Sequence, residues 1–141
     1  MSQTNDTYTY PLMDHAAGSL RAASGRPLPE ITLAAAAAGD LSAADFQIKA
    51  ETLRAQAEIA RQAGYVQLAA NLTRAAELTA VPNSELLRMY DLLRPGRATL
   101  ADLTALADRL EAEYQAAATA HFVREAAAVY QTRGLLRRPS A

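Results

Sequence analysis

The chain has 141 residues and a formal net charge of −1, with 14 basic and 15 acidic residues and no cysteine. This near-neutral balance disfavours binding to nucleic acid or an anionic membrane, and the lack of cysteine excludes disulfides, thiolate catalysis and Cys-type zinc sites. Half of the residues are apolar, nearly half of these are alanine, and there are two Phe and no Trp, so we expect an all-α fold with a core of leucine and alanine.

Residues 1–30 are predicted to form an extended, irregular N-terminal segment, because Pro11, Pro27 and Pro29 punctuate a polar sequence. Residues 31–141 are predicted to form a helical domain, an open up-and-down bundle of three to four main helices. The opening MSQTNDTYTYPLMD has no basic region followed by an apolar run, so no signal peptide is indicated. No stretch of the sequence approaches the roughly 20 apolar residues of a membrane-spanning helix.

Two capping signals precede the first main helix. Thr32 is the predicted N-cap of a short alanine helix that Gly39 ends, and Ser42 with Asp45 forms a second capping signal. A helix is then predicted over about 49–63, and Gly64 is predicted to end it in a left-handed elbow that leads into the next helix. Its inward-facing positions are Leu53, Ala57 and Ala60.

Residues 64–97 are predicted to hold two amphipathic helices joined at Pro82, which is tolerated in the first turn of a helix but not in its interior. The second of these helices ends at Arg94-Pro95-Gly96. The first has one stripe of buried positions, predicted to be Leu68, Leu72, Ala75, Ala76 and Thr79. The second has a buried or partner-facing stripe, predicted to be Leu86, Met89, Tyr90 and Leu93.

The last helix is predicted to be the longest, because Thr99 and Asp102 form an N-terminal cap and neither Gly nor Pro occurs before Gly134. It could span more than 30 residues, and whether it is continuous is left open. Beyond residue 118 its large apolar residues shift position, which indicates either a bend near residues 118–121 or a second contact face. The tail LLRRPSA is expected to be either frayed or clamped to a partner. The predicted seam of a bundle or coiled coil consists of Leu100, Leu103, Ala107, Leu110, Tyr114 and Ala117.

The sequence contains no pattern typical of a catalytic, cofactor-binding or metal site. His15 has no second candidate ligand nearby, and His121 with Glu125 is interpreted as a pair on one helix face. Every basic residue except Lys49 is arginine, and arginine and tyrosine are enriched at protein interfaces. The residues predicted to contact a partner are Tyr90, Arg94 and Arg97.

Three segments together carry a resemblance to a known family: RAAELTAVP over residues 74–82, LLRPGR over 92–97 and FVREAAAVYQTR over 122–133. With GRPLPEITL at 25–33, the chain resembles the small subunit of adenosylcobalamin-dependent diol and glycerol dehydratases. The resemblance extends from about residue 10 to residue 138.

This resemblance implies a non-catalytic subunit of a complex that converts propane-1,2-diol or glycerol to an aldehyde and water. The implied partners are a large catalytic subunit and a medium subunit, in a dimer of heterotrimers. Adenosylcobalamin would be held by those subunits and not by this chain. A bacterial cytoplasmic location is implied. The polar start shows no amphipathic helix of the kind that targets a microcompartment.

Two other functions fit parts of the pattern. A free-standing helical adaptor would bind a partner helix through the Leu/Ala seam of the last element. A helix-turn-helix DNA binder over residues 63–81 is disfavoured by the near-neutral charge and by the single arginine in its would-be recognition helix.

Overall fold

The computed structural model describes residues 8–138, which contain seven α-helices and, apart from an isolated bridge between Arg21 and Pro27, no β-structure. The predicted all-α class is confirmed. The chain divides into two compact units, residues 1–76 and residues 77–141. The predicted division at residue 30 and the arrangement of one up-and-down bundle stay predictions. No helix within residues 8–138 is long and apolar enough to cross a membrane.

The first unit contains three helices, a fourth helix whose last two residues, Glu77 and Leu78, belong to the second unit, and two short 3-10 turns. The predicted cap at Thr32 is confirmed, because its hydroxyl accepts a hydrogen bond from the Ala35 amide at 3.1 Å. Gly64, with φ of 83°, forms the predicted elbow between the two longer helices. The helices are α1 (Leu12–His15), α2 (Leu33–Ala37), α3 (Ala50–Gln62) and α4 (Val66–Leu78), and the 3-10 turns are Leu28–Glu30 and Ala43–Phe46.

The buried face of α4 differs from the predicted stripe. Of the predicted positions, Ala76 is buried, Leu72 and Ala75 are half-buried, and Leu68 and Thr79 are exposed, whereas the unpredicted Ala69 is buried. Leu68 precedes Ala69 by one residue, a turn of about 100°, so its side chain lies beside the buried line. Leu68 and Leu72 line an open cavity of about 670 Å³ together with residues of α3 and the N-terminal segment. The first unit therefore buries mainly alanine, together with Leu12, and leaves Leu68 and Leu72 at the edge of its core.

The irregular N-terminal segment is anchored by one buried carboxylate. Asp45 accepts hydrogen bonds from the Ser24 hydroxyl, from Nε of Arg26 at 3.1 Å and from the Ser42 amide at 2.7 Å. The Ser24 hydroxyl and the Ser42 amide hold the pKa of Asp45 well below its usual range, because they stabilise the ionised carboxylate. Apart from the short helix α1 and the first 3-10 turn, residues 8–30 are irregular, and Asp45 anchors them at Ser24 and Arg26. The part of the predicted segment before residue 8 lies outside the described residues.

We predict that Asp45→Asn lowers the free energy of unfolding at pH 7. A carboxylate with a lowered folded-state pKa stabilises the fold above its unfolded pKa of about 4, and the effect is lost as pH falls toward the folded value. Urea unfolding should show the difference between wild type and variant shrinking below pH 4. The exposed Asp14→Asn is the matched control. A pH-independent deficit for Asp45→Asn would contradict this role.

The second unit contains α5 (Asn83–Leu92), α6 (Leu100–Tyr114) and α7 (Ala117–Arg133). The last predicted element is two helices and not one continuous helix, because Gln115 adopts a left-handed conformation with φ of 55° and ends α6. The Ala116 amide donates to the Leu110 carbonyl at 3.0 Å, which satisfies an end carbonyl of α6. The interruption therefore precedes the predicted bend at residues 118–121.

Helix α7 folds back antiparallel along α6. Nη2 of Arg124 lies 2.8 Å from a carboxylate oxygen of Asp108 and 2.8 Å from one of Glu111. In a continuous helix residues 108 and 124 would be about 24 Å apart. The central part of the predicted seam is consequently buried within its own hairpin rather than offered to a partner helix, while the two end positions of that seam are exposed. The hairpin core includes Leu103, Leu106, Ala107, Leu110, Ala116, Ala120, Val123 and Ala127.

The N-terminus of α7 is capped by a side chain from the last turn of α4. Ala116, at the cap position, provides no side-chain hydrogen bond. Instead the Glu77 carboxylate accepts from the Ala118 amide at 2.9 Å, from the Thr119 amide at 2.8 Å and from the Thr119 hydroxyl at 2.6 Å. The charge also interacts favourably with the positive end of the helix dipole. Glu77 thereby joins the end of α4 to the start of α7.

We predict that Glu77→Ala lowers the free energy of unfolding by about 1–2 kcal/mol, the range for loss of a helix N-cap. The loss leaves the buried Thr119 hydroxyl and two amides without their acceptor. Urea denaturation followed by circular dichroism would measure it. Glu113→Ala, which removes an exposed partner of Arg109, should change stability by less than about 1 kcal/mol. Equal losses for the two variants would contradict the capping role.

The C-terminal tail pairs with its own chain as far as the structure describes it. The Gly96 amide donates to the Leu135 carbonyl at 2.8 Å, and the Arg137 amide donates to the Ala98 carbonyl at 2.8 Å. Leu136 packs against the hairpin core. Residues 135–137 are thus not frayed, whereas contact of the tail with a partner stays a prediction. Residues 139–141 lie outside the described range.

Candidate partner interface

Helix α5 has one face in the core and one in solvent. Met89 is buried, whereas Leu87 and Tyr90 are 70% and 67% exposed. Since Tyr90 follows Met89 by about 100° around the helix, it shares the outer side with Leu87, three positions earlier. The sequence predicted that Tyr90 is either buried or partner-facing. The buried alternative is therefore wrong for the chain by itself. The partner-facing one stays a prediction.

The predicted arginines lie beside the same outer face. Nη1 of Arg94 is 3.7 Å and Nε of Arg97 is 3.9 Å from one carboxylate oxygen of Asp91. All three side chains are more than half exposed. Sequence reasoning missed Leu87 and Asp91, although the i, i+3 spacing of Leu87 and Tyr90 and the i, i+4 spacing of Leu87 and Asp91 were a usable signal. We call the group Leu87, Tyr90, Asp91, Arg94 and Arg97 the α5 surface.

The turn that carries the two arginines is fixed by backbone hydrogen bonds. The Arg97 amide donates to the Arg94 carbonyl at 3.1 Å, and Gly96 between them has φ of 78°. The Tyr130 hydroxyl donates to the Leu93 carbonyl at 2.6 Å, just before the turn. With the Gly96 bond to the tail, these contacts hold the turn from both sides. The arginine backbones are thus positioned before any partner arrives.

The inner side of α5 is tied to α6 by an ion pair. Glu85, whose side chain is 12% exposed, accepts from Nη1 of Arg109 at 2.8 Å and from Nη1 of Arg88 at 3.2 Å. This partly buried carboxylate is already used by two guanidinium groups. The α5 surface is therefore attached to the hairpin by both apolar packing and charge.

The candidate metal-binding pair from the sequence is an exposed helical pair. Nε2 of His121 lies 3.5 Å from a carboxylate oxygen of Glu125, and both side chains are largely exposed. Between residues 8 and 138, no group of three or more His, Cys, Asp and Glu side chains is arranged to hold a metal ion. His121 and Glu125 thus lie on one helix face, as their spacing predicts.

We predict that Tyr90→Ala changes the free energy of unfolding of the isolated chain by less than about 0.5 kcal/mol, because the ring lies outside the core. Met89→Ala, one residue away and buried, should cost about 2–5 kcal/mol. Urea denaturation of the two variants provides the comparison. A loss for Tyr90→Ala as large as that for Met89→Ala would show that the tyrosine packs in the core.

Comparison with known proteins matches residues 5–137 to the family described as the dehydratase small subunit. The chain is similar to the propanediol dehydratase small subunit of Citrobacter freundii, with 47% identity over 128 residues that cover 91% of this chain and 74% of the relative. It is also similar to the propanediol dehydratase small subunit of Salmonella typhimurium, with 45% identity and the same coverage of both chains. The matched range includes the Glu77 cap and the whole α5 surface.

Proposed function

The chain belongs to the dehydratase small-subunit family, and from this membership we propose that it is the non-catalytic small subunit of a diol dehydratase, a hydro-lyase. The observation that carries the proposal is the 47% identity over 91% of the chain. The reaction would convert propane-1,2-diol or glycerol to the aldehyde and water. The selection between these substrates would be made by residues of another subunit. In this assignment the chain contributes to the assembly of the complex, and it does so through surface residues rather than through a ligand-binding pocket.

The family implies coenzyme B12 in the complex, and the other subunits would bind it. A corrinoid carries amide groups around its ring, so its site requires many polar partners. The cavity beside α3 and α4 is lined mainly by apolar and aromatic residues, with Gln56 among them, so it does not fit such a group. We therefore assign no cofactor-binding residue to this chain.

The proposed partners are the large catalytic subunit and the medium subunit, in a dimer of heterotrimers in the bacterial cytoplasm. The α5 surface supports contact with one of them. It combines an exposed leucine, an exposed tyrosine and two arginines, a composition typical of the centre of a protein interface. Its fixed turn lowers the entropy lost on binding.

The test is co-expression of the chain with the subunits encoded beside it, followed by purification and an adenosylcobalamin-dependent dehydration assay. We expect Tyr90→Ala and Arg94→Ala to reduce the yield of complex, because interface side chains act through the partner groups left unpaired. Activity per assembled complex should stay at the wild-type level. Arg54→Ala, an exposed arginine of α3, is the matched control and should change neither quantity.

Two results would contradict the proposal. A wild-type chain that does not co-purify with the other subunits would exclude the subunit role. A large fall in activity per complex, with assembly intact, would show that this subunit takes part in catalysis.

A further inference from the structure

We propose that the α5 surface receives an acidic segment of a partner subunit, whose carboxylates replace Asp91 as the ion-pair partners of Arg94 and Arg97. This inference rests on the proposed function, since it requires a partner chain. It adds the chemistry of that partner: side-chain carboxylates opposite the two arginines, and apolar groups opposite Leu87 and Tyr90.

The charges on this surface are unequal. Two guanidinium groups share the single Asp91 carboxylate, at 3.7 and 3.9 Å. Both distances are too long for hydrogen bonds. Each guanidinium has five N–H donors in a planar arrangement that suits two-point binding of a carboxylate. The nearby carboxylate of Glu85 is already bound to Arg109 and Arg88. The outer face therefore has donor capacity that Asp91 does not use.

Replacement of Asp91 by a carboxylate of the partner would cost little free energy. The side chains of Arg94, Arg97 and Asp91 are 66%, 53% and 58% exposed, so their pairing in water contributes little to stability. An incoming carboxylate would meet the same guanidinium groups while Leu87 and Tyr90 exclude water around them. Ion pairs shielded in this way are stronger than exposed ones, and the backbone of the turn is already fixed.

Substitutions of the arginines and of Asp91 on the same surface should have opposite effects on assembly. Arg94→Gln and Arg97→Gln remove attraction to an acidic partner, whereas Asp91→Asn removes repulsion and releases both arginines. If the partner segment were basic, Asp91 would be its contact and the signs would reverse. If contact were purely apolar, neither change would matter.

The experiment is a competition for assembly. The variant carries a short peptide tag that separates its mass from that of the wild type, because Asp91→Asn alone scarcely alters the mass. Both are co-expressed with the other subunits, and intact-mass spectrometry gives the ratio of variant to wild type in the purified complex, normalised to total expression and to a tagged wild-type chain. We expect Arg94→Gln to be depleted about tenfold, the size of a typical interface contact, and Asp91→Asn to be enriched up to about fivefold. Asp108→Asn and Arg54→Gln, exposed charges elsewhere, serve as matched controls at a ratio near one.

Salt provides the second measurement. The depletion of Arg94→Gln should diminish when the complex is assembled at high ionic strength, because screening weakens the wild-type ion pairs. Thermal melting of each isolated variant should match wild type, which shows that incorporation reports on contact and not on folding.

The outcomes separate this inference from the function on which it rests. Failure of the wild-type chain to enter any complex would exclude the proposed function. Assembly with both variants incorporated equally to wild type would overturn the acidic-partner inference and leave the function standing. Depletion of Asp91→Asn with enrichment of Arg94→Gln would also overturn it, in favour of a basic partner segment.

Discussion

The second unit depends on the carboxylate of Glu77 at the start of α7. By accepting the Ala118 and Thr119 amides, Glu77 fixes where α7 begins after the reversal at Gln115. The course of α7 in turn places the hydroxyl of Tyr130 against the carbonyl that precedes the arginine turn, and the C-terminal tail against the turn itself. The turn with the two arginines is therefore held by a series of contacts that begins at the end of α4. The RAAELTAVP segment, in which Glu77 lies, has a structural reason for its place in the family resemblance.

The two units use the same composition differently. In the hairpin, leucine and alanine side chains of α6 meet the small residues Ala120 and Ala127 of α7, and small side chains allow the helix backbones to approach closely. The first unit buries alanine from α3 and α4 with little else, and a buried alanine removes little apolar area from water. Hydrogen bonds to Asp45 therefore provide much of the stabilisation of the N-terminal segment of the first unit.

The sequence predicted those features that depend on neighbours in the chain. The Thr32 and Thr99 caps and the Gly64 elbow involve residues within a few positions of one another, so side-chain chemistry alone identifies them. The reversal at Gln115 was missed because neither Gly nor Pro marks it. The Glu77 cap was missed because its partners lie far from it in the sequence, on another helix.

The residues predicted to contact a partner show a different limit of sequence reasoning. Tyr90 directly follows the buried Met89 in the sequence. The helical periodicity therefore did not decide whether its ring is buried or faces a partner. The structure places the ring on the outer side of α5, near the exposed Arg94 and Arg97. Their contact with a partner cannot be derived from one chain.

The Glu77 cap also changes how the α7 terminus moves. The first amides of a helix have no carbonyl acceptor within the helix, so they ordinarily exchange their hydrogens rapidly with water. Here the Ala118 and Thr119 amides are bound to Glu77, a residue of α4 and not of α7. Local fraying of α7 would have to break this contact between distant parts of the chain. We therefore expect hydrogen exchange at these two amides to follow the cooperative opening of the second unit rather than the independent motion of a helix end.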